Sequence, residues 1–267
     1  MLEAALAGVF GLLIGSFLNV CIYRLPRDLS VAAPRSHCPE CEEPIAWYDN
    51  IPVVSYLALR ARCRKCGWRI PVRYPLVELA TGALFFLAVY WNGLSPLAVK
   101  QCVFAALMVE LAVSDLETMI LPDEFTLGGT ALGFAFSLWV PMDAGIVTLL
   151  LGGRWGPTGA SAAESLVGAV FAAGALSFVG WIYEKIRGRE GMGFGDVKLI
   201  ASIGAFLGLH NTLFAVLLGS VAGSIIGLGW AMARKKSIAT TEMPYGTFLC
   251  AGALAVAFLG PYAGWMV

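Results

Sequence analysis

Asp115-Leu-Glu-Thr-Met-Ile-Leu-Pro-Asp123 follows one long apolar stretch and precedes another, and Gly193-Phe-Gly-Asp196 again puts a carboxylate beside an apolar run. An ionised carboxylate at the centre of a bilayer costs ~2.5–3.5 kcal/mol on insertion scales, so acids at membrane depth are scarce and mark function. Near the interface that cost falls, and a single such Asp reads equally well as a solvated loop acid. Two of them in a chain with few charges read as a carboxylate pair.

Working outward, the chain itself reads as a membrane protein. Its 267 residues are 58% hydrophobic and 13% charged, with a mean hydropathy of +0.76; a soluble domain carries about 25% charged residues. Apolar stretches recur near the ~20 residues that a spanning helix needs. They fall at about 2–22, 76–92, 98–114, 124–141, 163–183, 197–209, 212–233 and 245–265. The expected fold is an all-α polytopic membrane protein of about eight transmembrane helices. The sixth stretch is short, and its seam with the seventh at Leu209-His-Asn211 is the least sharply bounded. Zero net charge gives no bulk attraction for nucleic acid. Met1-Leu-Glu-Ala-Ala-Leu lacks the basic n-region of a cleaved signal peptide, so the first stretch is expected to be retained.

Basic residues set the orientation. Of the 18 Lys and Arg, all but Lys100 and Arg154 fall in 23–74, 184–198 and 234–244. Eight spans with both termini outside put those three segments in the cytoplasm, and both carboxylate stretches with them. Pro122 breaks the short connection from Asp115 to Asp123. Gly191, Gly193 and Gly195 let the backbone bend just before Asp196. The outer segment 142–162 reads as an exposed connector with a short apolar surface piece at Ile146–Leu151. Gly219, Ala222, Gly223 and Gly227 read as small residues for close helix packing in lipid.

Cys38-Pro-Glu-Cys41 and Cys63-Arg-Lys-Cys66 form two Cys-x2-Cys knuckles in the long basic loop. Such a turn presents two thiolates to one tetrahedral zinc ion, although the separation of the knuckles slightly exceeds the usual ~15–20 residues. A disulfide or redox pair is the competing reading, disfavoured in a reducing compartment. His37 adjoins the first knuckle and reads as a bystander. The remaining cysteines, Cys21, Cys102 and Cys250, sit alone in apolar segments, as small core residues do.

His37 and His210 are the only histidines and fall on opposite sides, which excludes a Ser-His-Asp or Cys-His nucleophile. Neither a His-Glu-x-x-His motif nor a phosphate-binding Gly-rich loop is present. Carboxylates remain. Two Asp at close range share a proton, one acting as base toward water while the other polarises a carbonyl.

Gly15-Ser-Phe-Leu-Asn-Val-Cys-Ile-Tyr-Arg-Leu-Pro26, the two knuckles, Asp49-Asn-Ile-Pro-Val-Val-Ser-Tyr56, Arg73-Tyr-Pro-Leu-Val-Glu78, Asp115 to Asp123, Gly191-Met-Gly-Phe-Gly-Asp-Val-Lys198 and Pro244-Tyr-Gly246 together resemble the type IV prepilin peptidases (leader peptidase/N-methyltransferases), GxGD-type aspartyl proteases. The resemblance covers nearly the whole chain. It implies an inner-membrane enzyme that cleaves the leader of type IV prepilins and type II secretion pseudopilins and N-methylates the new N-terminus with S-adenosylmethionine. Carried over by motif, Asp115 and Asp196 are the catalytic carboxylates, and Asp123, Gly193 and Gly195 support them. Cys38, Cys41, Cys63 and Cys66 match the family's zinc loop. The implied organisation is a first transmembrane helix (1–22), a cytoplasmic zinc-binding loop domain associated with methyl transfer (23–74) and a membrane protease domain (75–267). Asp49 and Glu78 are further acids in or beside the loop, each either an aid to methyl transfer or an ordering hydrogen-bond partner. Thr247 stands where the family usually has a second Pro. Alternatives are a peptidase without methylation and a zinc-loop transporter or scaffold; the acids lie on one side only, which disfavours transport. The expected partners are the prepilin and pseudopilin substrates and the lipid bilayer.

Overall fold

The computed structural model describes residues 1–142, 145–188, 193–234 and 243–263. Among the described residues, eight α-helices carry most of the chain: α1 (Leu2–Arg24), α2 (Val54–Ala58), α3 (Arg73–Asn92), α4 (Pro96–Thr118), α5 (Asp123–Trp139), α6 (Ile146–Arg187), α7 (Phe194–Arg234) and α8 (Tyr245–Ala263). Among the described residues no strand occurs beyond two isolated bridges, His37 with Pro44 and Arg62 with Arg69. Five helices among the described residues are long and apolar enough to cross a bilayer, those within Leu2–Arg27, Arg73–Asn92, Pro96–Thr118, Arg154–Arg187 and Phe194–Trp230. Helix α5 and the apolar Tyr245–Gly260 stretch of α8 are shorter. The fold is all-α and polytopic, as the apolar segments require. Such helices satisfy their backbone polar groups internally, which lipid cannot do for them.

By internal contacts the chain divides into two compact units, Met1–Glu110 and Leu111–Val267, with the division inside α4. In the first, α1 packs along α3. The approach is closest at Gly15, where a Cβ would sit 2.7 Å from the Glu78 Cα. Any side chain there would force the helices apart. Asn19, one turn on, donates from Nδ2 to the Tyr74 carbonyl at 3.0 Å. At the other end Ala4, Val89 and Ala98 meet in a small apolar cluster. The loop that follows α1 is tied down by Arg24, whose guanidinium donates to the Ser30 carbonyl at 2.9 Å and the Pro34 carbonyl at 2.7 Å.

In the second unit α7 packs against α5, α6 and α8. Gly168 of α6 and Gly204 of α7 meet backbone to backbone, and Gly133 of α5 lies against Ala205 and Phe206. Gly219 and Gly223 pack on Phe248 of α8, and Gly227 meets Met243 just before it. The small residues of α7 therefore serve close packing, as their pattern predicts.

Two features differ from the expectation. Helix α7 breaks at Gly208 (φ +75°), a backbone region that only glycine enters without strain. Leu209 to Asn211, expected as the seam, already lie in the second half of α7. Segment 142–162, expected as an exposed connector, is also not a plain one: from Ile146 it is helical and turns at Gly156 (φ +70°) before Pro157. Proline opens the second arm because its missing N–H is an orphan at a helix start anyway. The first arm exposes Leu149 and Leu150, in line with a short apolar surface piece. Residues 143–144, Gly191 and the basic Arg189, Lys235 and Lys236 lie outside the described residues.

Candidate active site and metal centre

Asp115 lies in the last turn of α4 and is 5% exposed. Its Oδ2 accepts the Thr247 N–H at 2.7 Å, and the Thr247 hydroxyl lies 3.1 Å away. That hydroxyl also lies 2.8 Å from the Ala112 carbonyl, so its one proton serves either acceptor. Gly246 makes the approach possible: a Cβ there would sit 3.1 Å from the Asp115 carboxyl carbon. The carboxylate thus faces the N-terminal turn of α8, where free backbone N–H groups favour a negative charge.

Asp196 lies in the first turn of α7, its N–H bonded to the Gly193 carbonyl at 3.1 Å. The fold brings it within electrostatic reach of Asp115. Leu121 fills the space beside them: a Cβ on Gly195 or on Gly246 would come 3.3 Å from its side chain. Gly193 opens onto Asp196, its nearest side-chain neighbour at 3.7 Å from a notional Cβ. Asp123 is placed differently. It starts α5 and forms an ion pair with Lys198 at 2.6 Å, its side chain more than half exposed. Thr247, which in the sequence stands only as a departure from the family's usual second Pro, is the chief partner of Asp115. No sequence motif announces this contact, because α4 and α8 are far apart in the chain.

The two Cys knuckles of the first unit have the same backbone. Cys38 N–H reaches Glu43 O at 3.0 Å, as Cys63 N–H reaches Trp68 O at 2.8 Å; Glu42 N–H returns to Cys38 O at 2.9 Å, as Gly67 N–H returns to Cys63 O at 3.0 Å. Glu42 and Gly67, at matching positions, both take positive φ. The four Sγ atoms lie within 4.8 Å of one another, Cys38 and Cys66 at 3.8 Å. Zinc at about 2.3 Å from each sulfur of a tetrahedron implies sulfur separations of about 3.8 Å, so the donor set fits that ion. The backbone N–H groups of Cys66 and Lys65 pull the Cys63 thiol down to about 7, toward the thiolate that a metal requires. Beside the knuckles, Asp49 accepts two hydrogen bonds from Arg64, at 2.8 and 2.6 Å. That guanidinium holds the carboxyl below its ordinary range.

A cavity of about 260 Å³ lies between this loop and the adjoining ends of α1 and α3, with Cys38, Cys63, Asp49 and Tyr56 in its wall. Asn19 and Glu78 line it from the two helices. Glu78 Oε2 accepts the Val53 N–H at 2.8 Å. Val53 has φ +60°, an outlier for a β-branched residue that persists only where its surroundings impose it.

Fold and sites together describe a polytopic helical membrane protein with Asp115 and Asp196 within electrostatic reach of each other in one unit and four clustered cysteines in the other. Residues 9–92 match the bacterial peptidase A24 N-terminal domain, and residues 102–228 match the type IV leader peptidase family. The chain is 42% identical over 239 residues to a protein of Myxococcus xanthus, covering 88% of this chain and 65% of that one. It is 35% identical over 284 residues to one of Burkholderia pseudomallei, covering 97% and 86%, and 39% identical over 221 residues to one of Klebsiella pneumoniae, covering 79% and 88%. All three are named prepilin leader peptidase/N-methyltransferase. No solved structure matches the chain. The chain belongs to the type IV leader peptidase family.

Proposed function

We propose that this protein cleaves the leader peptide from type IV prepilins and type II secretion pseudopilins, using Asp115 and Asp196 at the cytoplasmic face of the inner membrane. It then N-methylates the new N-terminal residue. The cleavage reading is supported by Asp196 standing within electrostatic reach of Asp115. Like charges at close range cannot both ionise cheaply, so the pair holds one proton between them, and its titration belongs to both. The ionised member takes a proton from the attacking water. The protonated member donates to the oxygen of the scissile carbonyl and later passes its proton to the leaving amine. Thr247 and Gly246 fix one carboxylate, while Gly193 and Gly195 clear the approach to the other. Both termini lie on the periplasmic side, and residues 23–74 form the cytoplasmic loop domain that precedes the protease domain of 75–267.

The Cys38, Cys41, Cys63 and Cys66 thiolates hold one structural zinc ion that fixes the loop over its cavity. S-adenosylmethionine, when bound, supplies the methyl group. The cavity at the loop favours the methylating reading over cleavage alone, because it is a second, separately walled site with buried polar groups. The test is prepilin processing in membranes, read by gel shift at matched protein levels. Asp115→Asn, Asp196→Asn and the double change should each lose cleavage to the same extent, since the two act as a unit. Substantial processing by either single variant refutes the pair.

A further inference from the structure

The cavity beside the Cys knuckles has an uneven set of polar groups. Asp49 is occupied by Arg64, and Glu43 pairs with Lys65 at 3.4 Å. Arg24, also in the wall, spends its guanidinium on two carbonyls. Glu78 is 7% exposed, and the groups that hold it are neutral: the Val53 N–H and the neighbouring Ser16 hydroxyl. A carboxylate has about four acceptor positions, so capacity remains. Asn19 is 3% exposed. Its Nδ2 donates to Gly15 and Tyr74 carbonyls, which fixes the amide, and its Oδ1 has no partner. A buried acceptor left unmade costs ~1–3 kcal/mol.

The two acceptors are neighbours. Gly15 touches the Glu78 backbone and Asn19 touches Tyr74, so each pair is offset from the other by about one turn, ~5 Å. The complement to one carboxylate and one free carbonyl oxygen, with aromatic Tyr56 and Trp68 in the same wall, is a small cation with several N–H donors. We propose that Glu78 and Asn19 bind a primary α-ammonium group in this cavity. This rests on the methylation reading, which offers two sources: the freed N-terminus of the processed chain and the amino-acid end of S-adenosylmethionine.

The test is equilibrium binding to the full-length zinc-loaded protein in detergent. The probes are a synthetic peptide beginning with Phe, the same peptide N-acetylated, and S-adenosylmethionine. Glu78→Gln keeps an acceptor for Val53, and Asn19→Ala removes the unpartnered carbonyl oxygen together with the two hydrogen bonds that its Nδ2 donates. Zinc content and thermal midpoint report on folding. The wild-type protein should prefer the free over the acetylated peptide, or bind S-adenosylmethionine, and both variants should weaken that binding at least tenfold. Loss confined to the peptide identifies the processed chain as the source; loss confined to S-adenosylmethionine identifies the donor. Folded variants that bind every probe as the wild type does overturn the inference. Methyl transfer by the wild type, measured in parallel, reports on the underlying reading alone.

Discussion

Thr247 presents both its N–H and its hydroxyl to Asp115, where the usual proline of the family has neither. Thr247→Val removes only the hydroxyl. A hydrogen bond nets about 0.5–1.5 kcal/mol, so cleavage should slow by about two- to tenfold at unchanged protein level, as read from initial rates of prepilin processing. A wild-type rate would show that the hydroxyl serves the Ala112 carbonyl alone. Asp123 is a different case. Its ion pair with Lys198 is largely exposed, and such pairs contribute about 0.2–1 kcal/mol. Asp123→Asn should therefore change cleavage by no more than a few-fold in the same assay; complete loss would move Asp123 into the chemistry. Asp115 and Asp196 stood out in the sequence because an acid beside an apolar run is costly. Thr247 did not, since a threonine opening an apolar helix carries no cost until a carboxylate from a distant helix meets it.

Glu164 shows how helices settle what periodicity leaves open. It is fully buried on α6, and its two carboxylate oxygens accept N–H groups at two helix starts. One is Val147 at 2.8 Å, near the beginning of α6; the other is Leu209 at 3.1 Å, just past the break in α7. A helix start leaves N–H groups orphaned, and in a buried setting each needs a partner. The break at Gly208 is possible because glycine supplies the backbone and Glu164 supplies the acceptor. Hydropathy shows where apolar runs lie and not where their N–H groups go, so the seam was expected a residue or more too late. The helical outer arm was likewise read mainly as a connector, because its Gly and Pro content resembles a loop. Glu164→Gln keeps one acceptor oxygen and turns the other into a donor facing an N–H. The cost should be about 1–3 kcal/mol, seen as a lowered thermal midpoint in detergent. Gly208→Ala should destabilise as well, since its Cβ would sit 2.9 Å from Glu164 Cγ in a positive-φ, extended-ψ conformation that costs ~1–3 kcal/mol for any other residue. Unchanged midpoints for both would show that the break needs neither group.

At the scale of the whole molecule the candidate chemistry is divided between the two compact units, the thiolates and cavity within Met1–Glu110 and the aspartates within Leu111–Val267. The four cysteines were legible in sequence because a metal demands a fixed spacing, and so was the helical membrane architecture, which needs only apolar length. The cavity was not, since its acceptors come from α1 and α3 and become neighbours only once those helices pack. Two centres in separate units should fail separately. Zinc should be present at about one ion per chain, and Cys41→Ser should lower it, as read by metal analysis. Metal binding to thiolates releases protons and weakens as they are protonated. The Cys41 and Cys66 thiols are held above their ordinary range and the Cys63 thiol at about 7, so zinc retention against a chelator should fall steadily as pH is lowered, and most steeply below pH 7, where Cys63 is protonated as well. Chelation or Cys41→Ser should abolish methylation of a peptide supplied already cut, while prepilin cleavage survives because the aspartate pair needs no metal. Asp196→Asn should do the reverse, losing cleavage yet still methylating the cut peptide. Supplying cut peptide matters, because uncut prepilin would make methylation depend on cleavage and hide the separation. Joint loss of both activities in a zinc-free, folded protein would show that the loop centre supports the protease as well.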